Sequence, residues 1–367
     1  MTTLKRYVLK QFLKIYGLTI GGLIGIFVII DAFERMDEFV LGQGTVKLFL
    51  LYYIYKIPFI FFFMAPQSVL LATVVTLATL SKNNEFIAMK SCGISVTGIT
   101  LPILSASVII ALGVVSINEF ITPITSQRMN HLYYIKVRGA QDKADMARNN
   151  LWHRSTNGSI WNINYYDPPS TRMRGVNVIY YDDNQAMIRR RIEAAEAFWD
   201  GKQWVFERGF IRLFQPSGAQ KTEFFTRKPF PLLETPEDFR KIQKRPEEMS
   251  ARDIYQNILS YETEGVDTSR SWVDLYQKLS YPFISVVLAL VGIPVALRSS
   301  RHGGLLFSVA MCLVMGFAFS FLYALGISLG HGGTFHPALA AWGPSLFFIG
   351  LGLYMLLTLD SEKLLPI

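Results

Sequence analysis

The chain has 367 residues, 51% hydrophobic and only 17% charged, with a formal net charge of +8. It is too apolar for an ordinary pair of soluble domains, and its composition excludes disordered and collagen-like classes. Charge is concentrated between Ile124 and Leu275, which hold 23 of the 36 Lys/Arg and 20 of the 28 Asp/Glu; that balance is not the basic footprint of a nucleic-acid binder.

Spanning a bilayer takes about 20 apolar residues as a helix, and six stretches approach or exceed that length. The first is Ile15–Ile30, preceded by Lys5, Arg6, Lys10 and Lys14. It ends in Ile29, Ile30 and Asp31 rather than a small-residue cleavage site, so it reads as a retained span and not a signal peptide. The second and third are Ile57–Leu80 and Gly98–Ile117. After the polar middle come Leu279–Leu297, Leu305–Leu329 and Pro337–Leu357, the last two separated by Gly330-His331-Gly332-Gly333. Positive charge in the short connections falls on alternate sides: the N-terminal arm, the Ser81–Thr97 loop with two, and Arg298 and Arg301. The opposite connections, Asp31–Lys47 with its four acids and Gly330–His336, are poor in it. By the positive-inside rule both termini are cytoplasmic and the polar middle lies outside.

Between about Leu151 and Arg227 the pattern has period two, as in Trp161, Ile163, Tyr165 and Val176, Val178, Tyr180. This predicts six to eight antiparallel strands in a sandwich or jelly roll, with a helical or irregular flank at each end, Thr125–Met146 and Thr235–Glu262. Asp200-Gly201 between Trp199 and Trp204 predicts a hairpin with positive φ at both central residues. Asp182-Asp183-Asn184 and Ser217-Gly218 are further turn candidates. The expected domains are residues 1–123 with three spans, 124–275 with the β domain, and 276–367 with three more spans.

The sequence has no phosphate-binding loop, HExxH, CxxC or GxSxG, so nothing supports catalysis or a cofactor in this chain. The five histidines lack helical ligand spacing; His331 and His336 share a loop but predict no metal site. Cys92 and Cys312 fall outside the polar middle, so it has no disulfide framework. The Ser81–Thr97 loop is long enough for one helix parallel to the membrane, with Glu85 in its first turn and Gly93 ending it. Gly17, Gly21 and Gly25 in the first span, and Gly316, Ser320 and Ala324 in the fifth, each line one helical face. Such faces suit close helix approach, within this subunit or with another.

The layout of three spans, an outer β domain and three spans resembles the LptF/LptG family of lipopolysaccharide-export permeases of Gram-negative inner membranes. Local motifs agree along the whole chain. Leu4-Lys5-Arg6-Tyr7 looks like the family's opening, Glu85-Phe86-Ile87-Ala88-Met89 with Ser91-Cys92-Gly93 its cytoplasmic segment, and Asn118-Glu119-Phe120-Ile121-Thr122-Pro123 the end of its third span. Lys278 with Pro282, Arg298 with Gly303-Gly304, and Pro337 through Ala341-Trp342-Gly343-Pro344 also fall where the family has similar residues. Leu151-Trp152 and the strand after it look more like the LptG branch; an LptF-like subunit remains the alternative, as does a non-transporting scaffold that docks periplasmic proteins by strand addition.

The resemblance implies a heterodimer with an LptF-like permease, seated on a dimeric LptB-like ATPase that binds the ATP-Mg. It also implies an LptC-like single-span protein and an LptA-like periplasmic bridge, with lipopolysaccharide as substrate. Glu85, Phe86, Met89 and Gly93 would then belong to a helix coupled to the ATPase, with Glu85 facing an Arg or Lys. The small-residue faces of the first and fifth spans would form lateral gates. Trp161, Ile163 and Val178 would line an apolar interior open to acyl chains. Arg35, Lys47, Lys56, Arg128, Lys136 and Lys278 are candidate partners for lipid A phosphates, although family members carry lysines just after the first span where this chain has Asp31, Glu34, Arg35, Asp37 and Glu38. Lys278 can alternatively pair with Glu119.

Overall fold

The computed structural model describes residues 3–41, 45–137, 148–155, 158–182, 187–214, 220–232, 234–240, 246–263 and 267–361. The turn candidates at Asp183-Asn184 and Ser217-Gly218 lie outside these. The chain divides into two compact units, one comprising Met1–Asn130, Arg245–Ile258 and Asp267–Ile367, the other His131–Lys244 and Leu259–Val266.

The first unit is helical: α1 (Thr3–Leu41), α2 (Val46–Lys82), α3 (Glu85–Ser91), α4 (Val96–Ser116), a π-helical turn at Ile117–Ile121, and α5 (Thr122–His131). Six of its helical stretches are long and apolar enough to cross a membrane. The spans outrun their hydropathy limits. At 1.5 Å per residue the 39 residues of α1 reach roughly 58 Å, about twice the hydrocarbon thickness. The expected Asp31–Lys47 loop is therefore corrected: the helix continues through Leu41 and the next begins at Val46. The reason is that Asp31 is neutralised inside the fold rather than solvated.

Two central helices form the core. Val69, Leu70, Val74 and Leu77 of α2 pack with Ile284, Leu288, Val291 and Val295, all buried in one cluster. The approach is close at Gly292, where an added Cβ would lie 3.0 Å from Leu70 Cδ1.

The β unit holds β1 (Arg148–Arg154), β2 (Ser159–Asp167), β3 (Arg172–Asp182), β4 (Met187–Trp199), β5 (Trp204–Phe214) and β6 (Gln220–Phe230). They form one antiparallel six-stranded sheet with every strand beside its sequence neighbours. Register places Trp161 opposite Val178 and Val178 opposite Ile192, so the period-two apolar positions share one face. The Trp199–Trp204 pair closes the β4–β5 hairpin, but over four residues rather than two. Asp200 Oδ1 accepts from the Lys202 and Gln203 amides at 2.9 and 2.8 Å, and only Gly201 has positive φ, 99°. The Gln203 and Lys202 amides hold the Asp200 carboxyl below the usual range.

After the sheet come α6 (Pro236–Arg240), α7 (Ala251–Thr263), α8 (Ser269–Ser280), α9 (Ile284–His331) and α10 (Pro337–Ser361). Inside α9, Gly304 takes φ 70° and ψ −167°, a break only glycine adopts without strain. It separates the fourth span from the fifth where the apolar pattern pauses.

Candidate functional site

Four regions carry the residues singled out by sequence, three of them in the helical unit. The α2–α4 connection contains α3, set off by Asn84 at φ 62° and closed by Gly93 at φ 82°. Phe86 and Met89 are buried in the central cluster with Val8, Phe12 and Leu297, so α3 is anchored on its inner side. Its outer side is open: Ile87 is 57% exposed, beside a groove of ≈ 760 Å³ lined in part by Phe86, Ile87, Lys90, Ile94 and Leu297. Glu85 accepts from Tyr7 Oη at 2.9 Å and from Asn83 Nδ2 at 3.3 Å. The carboxylate thereby ties α3 to α1, a contact across 78 residues that the sequence does not reveal.

Gly17, Gly21 and Gly25 face open space, with no atom within 4 Å of an added Cβ. Gly316 does not: its Cβ would meet Gln67 Oε1 at 2.8 Å and Leu70 Cδ2 at 3.3 Å. Ser320 accepts from Gln67 Nε2 at 2.9 Å, and Ala324 is exposed. The fifth-span face is thus divided between packing inside this subunit and an open remainder.

The six candidate phosphate-binding cations have different surroundings. Lys47, Arg128 and Lys136 are exposed. Lys56 is buried and reaches both oxygens of Asp31 at 2.7 Å, Tyr53 Oη donates to Asp31 at 3.0 Å, and Arg35 Nε lies 3.3 Å from the same carboxylate. Asp31 thus occupies both cations. This cluster was missed as a unit, yet it had a signal: a lysine inside an apolar helix wants a carboxylate partner. Lys278 donates to the Met249 carbonyl, and Glu119 Oε2 accepts from the Ala251 amide at 2.8 Å. Gln127 Nε2 adds a 2.8 Å bond to the Glu248 carbonyl, and Asn130 donates to the Glu248 carboxylate. Both charges therefore fasten the start of α7, and Glu119 also acts electrostatically on Lys278.

Beside them is a cavity of ≈ 570 Å³, walled by Phe59, Phe62 and Phe63 and rimmed by Arg270, Asp274, Lys278 and His331. His331 Nε2 is 2.8 Å from Asp274 Oδ1. Among the described residues no group of three or more His, Cys, Asp or Glu is placed to hold a metal.

In the β unit, Trp161, Ile163 and Val178 lie together and fully buried, sharing a cluster with Ile192, Trp204, Phe206 and Phe239. The interior expected to be open is filled here, by side chains of the sheet and by Phe239 of α6.

The comparisons with known proteins bear on the whole arrangement. Curated proteins give no match. Residues 6–358 match the lipopolysaccharide export system permease LptF/LptG family, and six apolar helices with an inserted antiparallel sheet accord with it; the chain belongs to that family.

Proposed function

We propose that this chain is the LptG-like subunit of the lipopolysaccharide exporter. Membership in the family makes it a non-catalytic export permease of the inner membrane working in a complex. The reading adds an LptF-like partner permease, an LptB-like ATPase dimer holding the ATP-Mg, an LptC-like single-span protein and an LptA-like bridge. The termini are cytoplasmic and the β unit periplasmic, in keeping with the basic N-terminal arm and Lys82 and Lys90 flanking α3.

Force generated elsewhere must enter through a protein contact. The observation that carries this step is the Glu85–Tyr7 bond: a push received by α3 is passed to α1, whose glycine face is open. Lipopolysaccharide enters where that face meets the fifth span of the other permease, and its acyl chains travel along the apolar face of the sheet. Glu85 is also the only acid in its loop, and in the assembled groove it meets an Arg or Lys of the ATPase. Truncating one member of such a pair costs about 2 to 5 kcal/mol.

Co-purification and proteoliposome extraction test the reading. Wild type brings down the ATPase and releases lipopolysaccharide with ATP. Glu85→Ala weakens either activity and Glu85→Lys more so, with membrane insertion unchanged. Undiminished ATPase binding and equal release by Glu85→Lys would remove the coupling role. Replacement of a chromosomal LptG-like or LptF-like subunit, one at a time, assigns the branch.

A further inference from the structure

The apolar face of the sheet already has an occupant, supplied by the chain itself. After β6 the backbone returns across it as a short strap, Glu234–Arg240, ending in α6. Phe239 is 1% exposed. Its ring centroid lies 5.0 Å from Trp161, 5.1 Å from His153, 5.8 Å from Trp204 and 5.9 Å from Tyr166. Two strap carbonyls are pinned: Glu234 O accepts from Trp204 Nε1 at 2.8 Å and Pro236 O from Tyr166 Oη at 3.2 Å. Asp238 Oδ2 accepts from the Thr235 amide and hydroxyl at 2.9 and 3.0 Å, so the strap is also closed on itself.

The fit is imperfect in one respect. Glu234 is 3% exposed, and neither carboxylate oxygen has a hydrogen-bond partner among the described residues; the Trp161 Nε1 donor is in the same position. Buried polar groups are almost always satisfied, and a buried carboxylate left unmet is costly. A permanent core would be expected to shed such groups. A closed state that exchanges with an open one keeps them, because opening hydrates the carboxylate and frees the indole.

We infer that Glu234–Arg240 is a displaceable plug, with Phe239 holding the place on Trp161, Ile163 and Val178 that an alkyl chain of a phosphorylated glycolipid takes when the strap lifts. The exchange conserves apolar burial: an aromatic ring leaves and a hydrocarbon chain replaces it. Among the described residues, two backbone carbonyl bonds and the Phe239 ring contacts hold it to the sheet. The inference rests on the reading of this face as the acyl-chain path.

The test uses the full chain assembled with its partner permease and ATPase in nanodiscs, and a lipid A-class glycolipid bearing a diazirine on one acyl chain. With ATP, wild type should be labelled on the β2 and β3 peptides containing Ile163 and Val178, while the amides of Thr235–Arg240 lose protection from hydrogen exchange. Phe239→Ala should raise that labelling roughly tenfold at low glycolipid, as when a competent state about one-tenth populated becomes the main one. Phe239→Leu should stay near wild type. Labelling of the face while the strap amides keep full protection, or equal labelling of wild type and Phe239→Ala, would overturn the plug and leave the path intact. No labelling of the face in either protein would overturn both. Should Phe239→Ala fail to assemble, the wild-type exchange measurement decides alone.

Discussion

The spans at the centre of the helical unit and those at its rim are equally apolar but differently used. Of the most apolar stretch of each helix, 67% is buried in the second span and 72% in the fourth, against 6% in the first and 22% in the fifth. Hydropathy alone cannot rank them, since all six are compatible with lipid. The difference lies in which residues find partners inside this chain: Leu70 meets Gly292 and Gly316, whereas the glycine face of α1 meets nothing among the described residues. A rim helix with an unfilled small-residue face is suited to a second subunit, as the gate reading of the first and fifth spans requires.

That contrast can be broken where the rim is bolted to the centre. The Asp31–Lys56 pair joins α1 to α2 in a buried setting. Lys56→Ala leaves the buried Asp31 carboxylate to Arg35 and Tyr53 alone and should destabilise the protein in detergent by up to about 3 kcal/mol, while the paired change Asp31→Asn with Lys56→Met recovers much of it. Thermal unfolding of wild type and the two variants checks this.

Truncation sharpens the comparison next. Leu70→Ala in the central cluster should cost about 2 to 5 kcal/mol. Leu18→Ala on the exposed face of α1 should stay within roughly 0.5 kcal/mol for the isolated subunit. An intermediate loss, about 1 to 3 kcal/mol from overpacking against Gln67 and Leu70, is expected of Gly316→Leu in the same assay. The smallest effect lies in the β4–β5 turn. Because the folded Asp200 carboxyl is held below its ordinary value by the Gln203 and Lys202 amides, its contribution is present above the ordinary carboxylate range and fades as pH falls through the lower folded value. Amide exchange at Lys202 and Gln203 should speed up in acid, and in Asp200→Ala it should be fast throughout.

The sequence disclosed what depends on local pattern. Apolar runs located six spans, alternation located the strands and the inward Trp161, Ile163, Val176 and Val178, and Gly93 marked a real break; in β2 it is Tyr166 rather than the expected Tyr165 that turns inward. Contacts between distant segments were not legible. Asp31 looked like the end of a helix because its partner Lys56 lies a whole turn of chain away, and the helix continues through it to Leu41. Lys278 and Glu119, which act on each other electrostatically, also bind backbone groups at the start of α7, and those groups carry no side-chain signature. Strand order is likewise a property of pairing rather than pattern, and Phe239 reads as an ordinary residue of a polar flank until the sheet face beneath it is known.

The most direct test of the account is Gly21→Leu, which fills the open face of the first span without a neighbour in this subunit to disturb. In proteoliposomes with the partner permease and ATPase, the variant should assemble and hydrolyse ATP while lipopolysaccharide release falls severalfold. Normal release from a fully assembled variant would contradict the account, because it would mean that the open rim face takes no part in admitting substrate.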